Sequence, residues 1–252
     1  MTDDSHPGAY EQIGVGYADY RKPDPRIEAQ IRRAIGDVEL VCNVGAGAGS
    51  YEPQDVPVIA VEPSRVMSSQ RRNRAKCILA ATAEQLPLRD DAVDASMAVL
   101  TIHHWLHPEQ GLAEMRRIAR RQVIFAFDPP LLDSFWLVQD YLPEILDLEA
   151  KRSLSIAAIA QLLHTDSIET VNVPHDCSDG FLTAYWRRPE MYLEPSVRRS
   201  ISPFMQLPEQ VVNDALNRLR RDLSTGLWHR RHAGLLSTTS CDFGYRLVVA
   251  NR

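Results

Sequence analysis

Three alternating glycines after an apolar segment constrain the fold of this chain more than any other feature. Residues 41–62 read VCNVGAGAGSYEPQDVPVIAVE, with Gly45, Gly47 and Gly49 following one apolar run and Glu62 ending the next. The pattern predicts a strand, a glycine-rich turn, a helix and a second strand. Glycine permits positive φ and lets a ligand approach the backbone closely. The predicted helix would also direct its first N–H groups at that ligand.

The acidic residue after the second strand indicates which kind of ligand is bound. A carboxylate at the tip of that strand, Glu62, can accept hydrogen bonds from two ribose hydroxyls, which indicates an adenosine-containing cofactor. A dinucleotide fingerprint requires G-x-G-x-x-G/A, and its third small position, counted from Gly45, is occupied by Ser50. A nicotinamide oxidoreductase is therefore disfavoured. A glycine turn that only tightens a strand–helix connection is the alternative for the motif taken alone.

Composition limits the class of protein. The chain has 252 residues, 44% of them hydrophobic, and a formal net charge of −5. This length accommodates one large α/β domain with a lid, and the acidic balance does not favour a nucleic-acid partner. We see neither an 18-residue apolar run nor a signal peptide, so no membrane partner is expected. The four cysteines are scattered without metal-binding spacing, which predicts no metal site and a cytoplasmic location.

Short apolar segments alternate with amphipathic helices through the first half of the chain. A helix should begin after Asp24-Pro25, present Ile27, Ile31 and Ile35 on one face, and end at Gly36. The predicted strands cover residues 38–44, 58–61, 77–80, 95–100 and 123–127, and a further helix begins at Pro108. This alternation predicts an α/β fold with a doubly wound, mostly parallel sheet.

The motifs resemble those of a known family over residues 15–128. G-x-G-x-G followed by an acid 17 residues after its first glycine resembles motif I of class I S-adenosylmethionine (SAM) dependent methyltransferases. The segment VEPS, Val61 to Ser64, resembles the acidic motif of small-molecule methyltransferases related to the ubiquinone and menaquinone enzymes. Residues 82–87 (TAEQLP) resemble the segment that packs on adenine, and residues 91–94 resemble the entry to strand 4.

The resemblance implies SAM as cofactor, S-adenosylhomocysteine (SAH) as product, and a Rossmann-like fold with seven strands. It implies cofactor contacts from Tyr20, Arg21, Asn43, Gly45, Ala46, Gly47, Gly49, Glu62, Pro63, Ser64, Thr82, Ala83, Glu84, Leu100 and Thr101. One position departs from the family, which usually has Asp where this chain has Asn43. An amide can accept a hydrogen bond but cannot supply the charge that helps to hold the ammonium group of SAM.

A long insertion is predicted near the C-terminus. Residues 131–164 look helical, 168–173 and 242–250 read as the last two strands, and the family usually joins those strands by a short hairpin. We therefore expect a core at 1–174, a helical cap at 175–240 and a final core strand at 241–252. The cap would lie over the carboxyl edge of the sheet. Its predicted acceptor contacts are His175, Phe181, Tyr185 and Trp186.

Two histidines and an aspartate are the candidate catalytic residues. His103 and His104 follow strand 4, and Asp128 follows strand 5, which should be its neighbour in the sheet. A carboxylate that orients an imidazole raises its basicity, and the arrangement resembles that of sugar-modifying O-methyltransferases. Asp128 and the Pro-Pro-Leu that follows it also resemble the D/N-P-P-Y/F loop of amino-group methyltransferases. That loop follows strand 4 and has an aromatic fourth residue, so base N-methylation is disfavoured.

The sequence thus predicts a SAM-dependent methyltransferase that acts on a small natural-product or metabolic acceptor at O, N or C. The alternatives are a peptide or protein methyltransferase, which the insertion would also suit, and a SAM-binding module without turnover, which Asn43 favours. The oligomeric state is not predicted.

Overall fold

We describe the protein from a computed structural model that covers residues 20–71 and 77–252. The strands are β1 (Val41–Val44), β2 (Val58–Val61), β3 (Cys77–Leu79), β4 (Val93–Val99), β5 (Ala119–Phe127), β6 (Ser167–Thr170), β7 (Val173–Pro174), β8 (Ser240–Cys241) and β9 (Tyr245–Asn251). The helices are α1 (Pro25–Ile35), α2 (Arg65–Ser69), α3 (Pro108–Ile118), α4 (Trp136–Asp140), α5 (Glu144–Arg152), α6 (Ile156–Leu163), α7 (Pro195–Arg198), α8 (Ser202–Gln206), α9 (Glu209–Ser224) and α10 (Leu227–Arg231).

Seven strands of the described chain form one twisted sheet in the order β3-β2-β1-β4-β5-β9-β6. Strands β1 to β5 run parallel, and β9 is antiparallel to both of its neighbours. β4 and β5 lie side by side, so the segments that follow them meet at the same carboxyl edge. The predicted seven-stranded, mostly parallel fold is confirmed. Within the described residues, no helix is both long and apolar enough to cross a bilayer.

The first helix forms as its sequence predicts. The Asp24 side chain accepts a hydrogen bond from the Arg26 N–H at 3.0 Å, and Pro25 occupies the first helical position. Ile27, Ile31 and Ile35 are fully buried against the sheet. The helix packs with its apolar face on the sheet because burial removes that apolar surface from water.

The helix predicted between β1 and β2 is absent, and this corrects the sequence analysis. The structure has turns between Val44 and Val58. Pro53 and Pro57 explain the difference, because each lacks an N–H donor and disfavours the α conformation of the residue before it. No helix dipole is therefore directed at the glycine turn, and backbone and side-chain groups must provide what the helix would have contributed.

The chain between β6 and β9 carries helices α7 to α10 and pairs β7 with β8 in a separate two-stranded sheet. Its apolar residues do not form a core of their own. Trp186, Tyr192 and Trp228 belong to the same buried cluster as Ile31 and Phe125 of the main domain. The insertion is thus packed onto the sheet as part of one continuous core.

Candidate active site

The glycine turn fits closely against the segment that follows β4. A Cβ atom at Gly45 would collide with the Thr101 side chain, and Gly45, Gly47 and Gly49 all have positive φ. The Ala46 N–H donates to the Val61 carbonyl at 3.0 Å, which ties the turn to the end of β2. The turn therefore requires glycine for both conformation and space.

Glu62 lies where the sequence analysis placed it, at the end of β2 beside the turn. It is 8% exposed. Its Oε2 accepts the Gly47 N–H at 2.7 Å and its Oε1 accepts the Ser64 N–H at 2.8 Å. These two contacts hold the carboxylate in place beside the turn. Pro63, which lies between Glu62 and Ser64 in the chain, is exposed.

A buried polar cluster lies behind the glycine turn. The Asn43 amide donates to Glu52 Oε1 at 2.9 Å, and Glu52 Oε2 forms a salt bridge with Arg71. Arg71 also donates to the Gly47 carbonyl at 3.3 Å. Since Gly47 is held at its N–H by Glu62 and at its carbonyl by Arg71, side chains fix the turn where a helix was expected.

Asn43 has an unpaired acceptor inside this cluster. The residue is 1% exposed, and its Oδ1 has no hydrogen-bond partner within the described chain. The amide orientation is determined by Glu52, because a flipped amide would place two acceptor oxygens against each other. An orphaned buried acceptor beside a glycine turn fits a ligand that carries a donor, as the ammonium group of SAM does.

The predicted adenine segment joins the same side of the sheet. Thr82 is exposed, whereas Ala83 is buried and lies where a Cβ at Gly111 would contact it. The Glu84 carboxylate accepts the His107 N–H at 3.1 Å. Burial and this backbone hydrogen bond act on the Glu84 carboxyl in opposite directions, with a net lowering of its pKa.

A pocket opens at the carboxyl edge of the sheet and brings several of the predicted residues together. Predicted cofactor, catalytic and acceptor residues all contribute to its wall. The lining residues are Arg21, Leu100, His103, His104, Phe127, Leu132, Glu149, Arg152, Phe181, Leu182, Ser200, Ile201, Ser202, Pro203 and Tyr245. The wall is thus built from the ends of β4 and β5, helix α5 and the insertion.

The two histidines share one wall of this pocket. Their ring centroids are 3.9 Å apart, and the His103 ring packs edge-on against Phe127 at 5.3 Å. Burial, and then the neighbouring positive groups, lower the pKa of both imidazoles well below the ordinary histidine value. Both rings are therefore neutral at pH 7, which is the state that can accept a proton.

Asp128 does not join the histidines, which corrects the predicted catalytic pair. Its Oδ1 accepts the Ile156 N–H at 3.3 Å at the start of α6. It does not line the pocket, and within the described residues no hydrogen bond or ion pair links it to His103. The strand ends are neighbours as expected, but the chain turns at Pro129 and directs the Asp128 carboxylate towards α6.

Among the predicted acceptor residues, Phe181 lines the pocket. Trp186 does not, and the expectation that it faces the acceptor is corrected. It is fully buried, and its indole N–H donates to the carbonyls of Val173 and Pro174, each at 3.2 Å. Its own carbonyl accepts the Trp136 indole N–H at 2.7 Å. Trp186 is therefore a core residue that anchors the insertion.

Tyr185 and His175 also lie away from the pocket lining. Tyr185 is buried, with the Arg188 guanidinium 4.9 Å from its ring centroid. His175 is half-buried near the short β7–β8 sheet, where its Nδ1 lies 3.2 Å from the Thr239 carbonyl. Aromatic character identified Tyr185 in the sequence, and its position after the sixth strand identified His175. Neither property separates a cap residue that faces a ligand from one that packs elsewhere.

Arg21 is fixed by the insertion. Its Nε donates to Asp179 Oδ1 at 2.6 Å, and Asp179 is fully buried. The Tyr51 hydroxyl, from the segment after the glycine turn, donates to Asp179 Oδ2 at 3.0 Å. The residue next to Arg21, Tyr20, accepts the Gly180 N–H at its carbonyl at 2.9 Å. Asp179 thus links the cofactor turn, the N-terminal segment and the insertion.

Several residues of the site carried no functional signal in the sequence. Glu149 and Arg152 of α5 form a salt bridge in the pocket wall, and Glu149 is 1% exposed. Their i, i+3 spacing was visible, but the same spacing is common on solvent-exposed helix surfaces. Glu52 gave no signal, since its role depends on contacts with Asn43 and Arg71 that only the fold creates.

The matches to known proteins agree with this geometry. A family described as a methyltransferase domain matches residues 38–127. Among solved structures, a protein from Anabaena variabilis described as a methyltransferase from an antibiotic biosynthesis pathway is similar, with 33% identity and a TM-score of 0.85. The match covers 92% of this chain and 99% of that one.

A more distant similarity supports the fold alone. A geranyl diphosphate C-methyltransferase from Streptomyces coelicolor has 12% identity and a TM-score of 0.53, with 90% of this chain and 78% of that chain covered. No curated protein matches the sequence.

The residues present fit SAM: a glycine turn without room for a Cβ, a buried carboxylate at the end of β2, and an orphaned acceptor at Asn43. Together with the Anabaena similarity and the domain match, these features establish that the chain belongs to the SAM-dependent methyltransferases.

Proposed function

We propose that the protein methylates a small natural-product or metabolic acceptor. The observation that carries this proposal is the pocket at the carboxyl edge of the sheet, where residues of the insertion meet His103 and His104. Phe181, Leu182 and Ile201 from the insertion add apolar wall to that of Phe127 and Leu132. A partly enclosed pocket with apolar walls and few polar groups is typical of a small-molecule site.

In this proposal the cofactor is held at the glycine turn. Glu62 would bind the ribose, the Asn43 Oδ1 would accept from the ammonium group, and Arg21 would pair with the carboxylate. SAM supplies an electrophilic methyl group when bound. Residues 175–240 act as the cap, and they exclude water from the acceptor and orient it, which is the main contribution that a methyl transfer needs.

His103 is the proposed general base where the acceptor loses a proton, and His104 is its alternative. The low pKa of these rings keeps them neutral, and their position in the pocket wall brings them to the acceptor. The Anabaena protein is described as acting in antibiotic biosynthesis, which supports a natural-product acceptor for this chain. The kinship with the ubiquinone and menaquinone enzymes stays a prediction.

The decisive experiment has two stages. Native mass spectrometry of the purified protein with added SAH tests cofactor binding, and a screen of small-molecule acceptors with methyl-labelled SAM then tests turnover. Label in a small molecule supports the proposal. Label only in peptides favours a peptide methyltransferase, and binding without any transfer favours a SAM-binding module, so either result would contradict it. A His103→Ala variant that binds SAH normally is the matched control for background methyl transfer.

A further inference from the structure

Two arginines from separate parts of the chain line the pocket, and both are held in place. Arg21 is paired with the buried Asp179. Arg152 donates from Nε to Glu149 Oε2 at 2.9 Å and from Nη2 to Ser202 Oγ at 3.0 Å, and Nη2 also bonds to Glu149 Oε1. Guanidinium groups fixed by several hydrogen bonds lose little further freedom when they bind a ligand.

One edge of the Arg152 guanidinium is available. Its Nη1 has no hydrogen-bond partner within residues 20–71 and 77–252, and the side chain is 15% exposed. Since Arg152 lines the pocket, its Nη1 N–H groups can serve as charged donors to an acceptor bound there. A donor in such a wall is most stable when an acceptor oxygen binds to it, because a desolvated unpaired N–H is costly.

Arg152 is the charged donor that the described pocket lining offers to the acceptor. The lining contains two guanidinium groups, the single carboxylate of Glu149, and two imidazoles that are neutral at pH 7. Arg152 and Arg21 both contribute to the low pKa of each imidazole. Arg21 is paired with Asp179 and is assigned to the SAM carboxylate, so Arg152 is the charged donor left for the acceptor, and a guanidinium N–H binds an acceptor oxygen but not a cationic group.

The remaining wall is apolar. Leu100, Phe127, Leu132, Phe181 and Ile201 contribute to it. These side chains would contact the body of the acceptor, while its charged group meets Arg152. A mostly apolar molecule with one acidic group would match this distribution of apolar and charged groups in the wall.

We infer that the acceptor is a small, mostly apolar oxyanion whose carboxylate, or similarly acidic oxygen, binds the Nη1 edge of Arg152. This inference rests on the proposed function, because it names the class of acceptor for the same pocket. Arg152 is then a specificity-determining residue, and Glu149 positions it.

The test compares two probes of nearly equal shape, cinnamate and its neutral amide cinnamamide. Each is titrated by calorimetry into the full-length protein saturated with SAH. We expect cinnamate to bind about tenfold more tightly than the amide, a difference of about 1.4 kcal/mol, since only the carboxylate forms a hydrogen bond in which both partners are charged. Arg152→Gln should remove this preference and Arg152→Lys should retain part of it.

Two further variants keep the result interpretable. The double variant Glu149→Gln with Arg152→Gln avoids leaving a buried carboxylate unpaired, and it should also lose the preference. Arg117→Gln is the control, because Arg117 of α3 lies outside the pocket lining, where it pairs with Glu114 of the same helix and with Asp90 from the segment before β4. This variant should behave as the wild type.

Equal affinity for cinnamate and cinnamamide, binding of neither probe, or a preference that persists in both Gln variants would overturn the inference. If SAH still binds in those experiments, the methyltransferase assignment stands. Failure of SAH to bind the wild type would instead remove the proposed function, and with it this inference.

Discussion

The side-chain amide of Asn43 donates a hydrogen bond to the buried carboxylate of Glu52 at 2.9 Å, and Arg71 pairs with the other oxygen of that carboxylate. The position where related enzymes usually have aspartate is thus an amide beside a carboxylate from the following turn. The negative charge expected from the family is present in this cluster, but on a different residue.

Asn43→Asp, the change that would restore the family residue, should therefore destabilise this protein. It would place two carboxylates side by side with Arg71 as their shared partner, at a cost of about 2–4 kcal/mol. Thermal or denaturant unfolding at pH 7 measures the loss. The defect should shrink as pH falls, because one carboxyl group then becomes protonated.

The matched control for that variant is Asn43→Asp combined with Glu52→Gln, which exchanges the amide and the carboxylate. We expect this exchange to recover most of the lost stability. A single Asn43→Asp variant as stable as the wild type would contradict the observed geometry.

Glu62→Ala should weaken SAH binding by about 100-fold or more. The change removes the acceptor for two ribose hydroxyls, each a charge-assisted hydrogen bond, and it also releases the Gly47 and Ser64 N–H groups. Calorimetry gives the dissociation constants. Glu169→Ala, at an exposed position on β6, is the control, and unchanged SAH affinity in Glu62→Ala would remove Glu62 from the cofactor site.

His103→Asn should reduce turnover steeply while SAH binding persists, if the acceptor must lose a proton. Asp128→Asn should stay close to the wild-type rate, because the Asn oxygen can still accept the Ile156 N–H that Asp128 accepts now. Single-turnover rates with labelled SAM measure both. A large loss in Asp128→Asn with an intact fold would restore the catalytic pair that this structure does not form.

The pH dependence of stability should reveal the buried imidazoles. Folding lowers the pKa of both imidazoles. Below the ordinary histidine pKa of about 6.5, the unfolded chain therefore binds more protons than the folded protein. The free energy of unfolding should therefore be unaffected by these two groups above that pH and should decrease progressively below it.

Unfolding free energies measured between about pH 7.5 and 5 test this expectation. His103→Gln combined with His104→Gln should flatten the slope, and His229→Gln, at an exposed position, should leave it unchanged. An identical slope in the double variant would show that the two imidazoles titrate normally.

Trp186 and Phe181 should separate the structural and binding roles of the insertion. Trp186→Phe removes the indole N–H that the Val173 and Pro174 carbonyls accept, and Pro174 then keeps only the Cys177 N–H. The change should lower the free energy of unfolding by about 1–3 kcal/mol, with little effect on the KM for the acceptor. Phe181→Leu, in the pocket wall, should raise that KM with a smaller loss of stability. The opposite pattern would contradict the placement of both residues.

The succession of strands and helices along the chain and the position of the cofactor turn were predictable, because both depend on local sequence. Alternating glycines, an acidic residue after β2 and apolar strands separated by capped helices each have a short-range physical cause, as Asp24 and Pro25 show at the start of α1. The absence of a helix after the glycine turn also has a local cause, since Pro53 and Pro57 disfavour a helix there. The glycine motif predicted that helix in spite of the two prolines.

Only the tertiary structure decided what lines the pocket. Glu149 and Arg152, Asp179 and Arg21, and Asn43 and Glu52 are pairs whose members come together, or become buried, through packing. A sequence pattern shows which residues could pair but not how much water surrounds them, and burial sets the strength of a charge and the cost of leaving it unpaired. Trp186 and Asp128 show the same limit. The aromatic-rich insertion placed Trp186 at the site and the neighbouring strand ends placed Asp128 there, whereas packing directed Trp186 into the core and Asp128 towards α6.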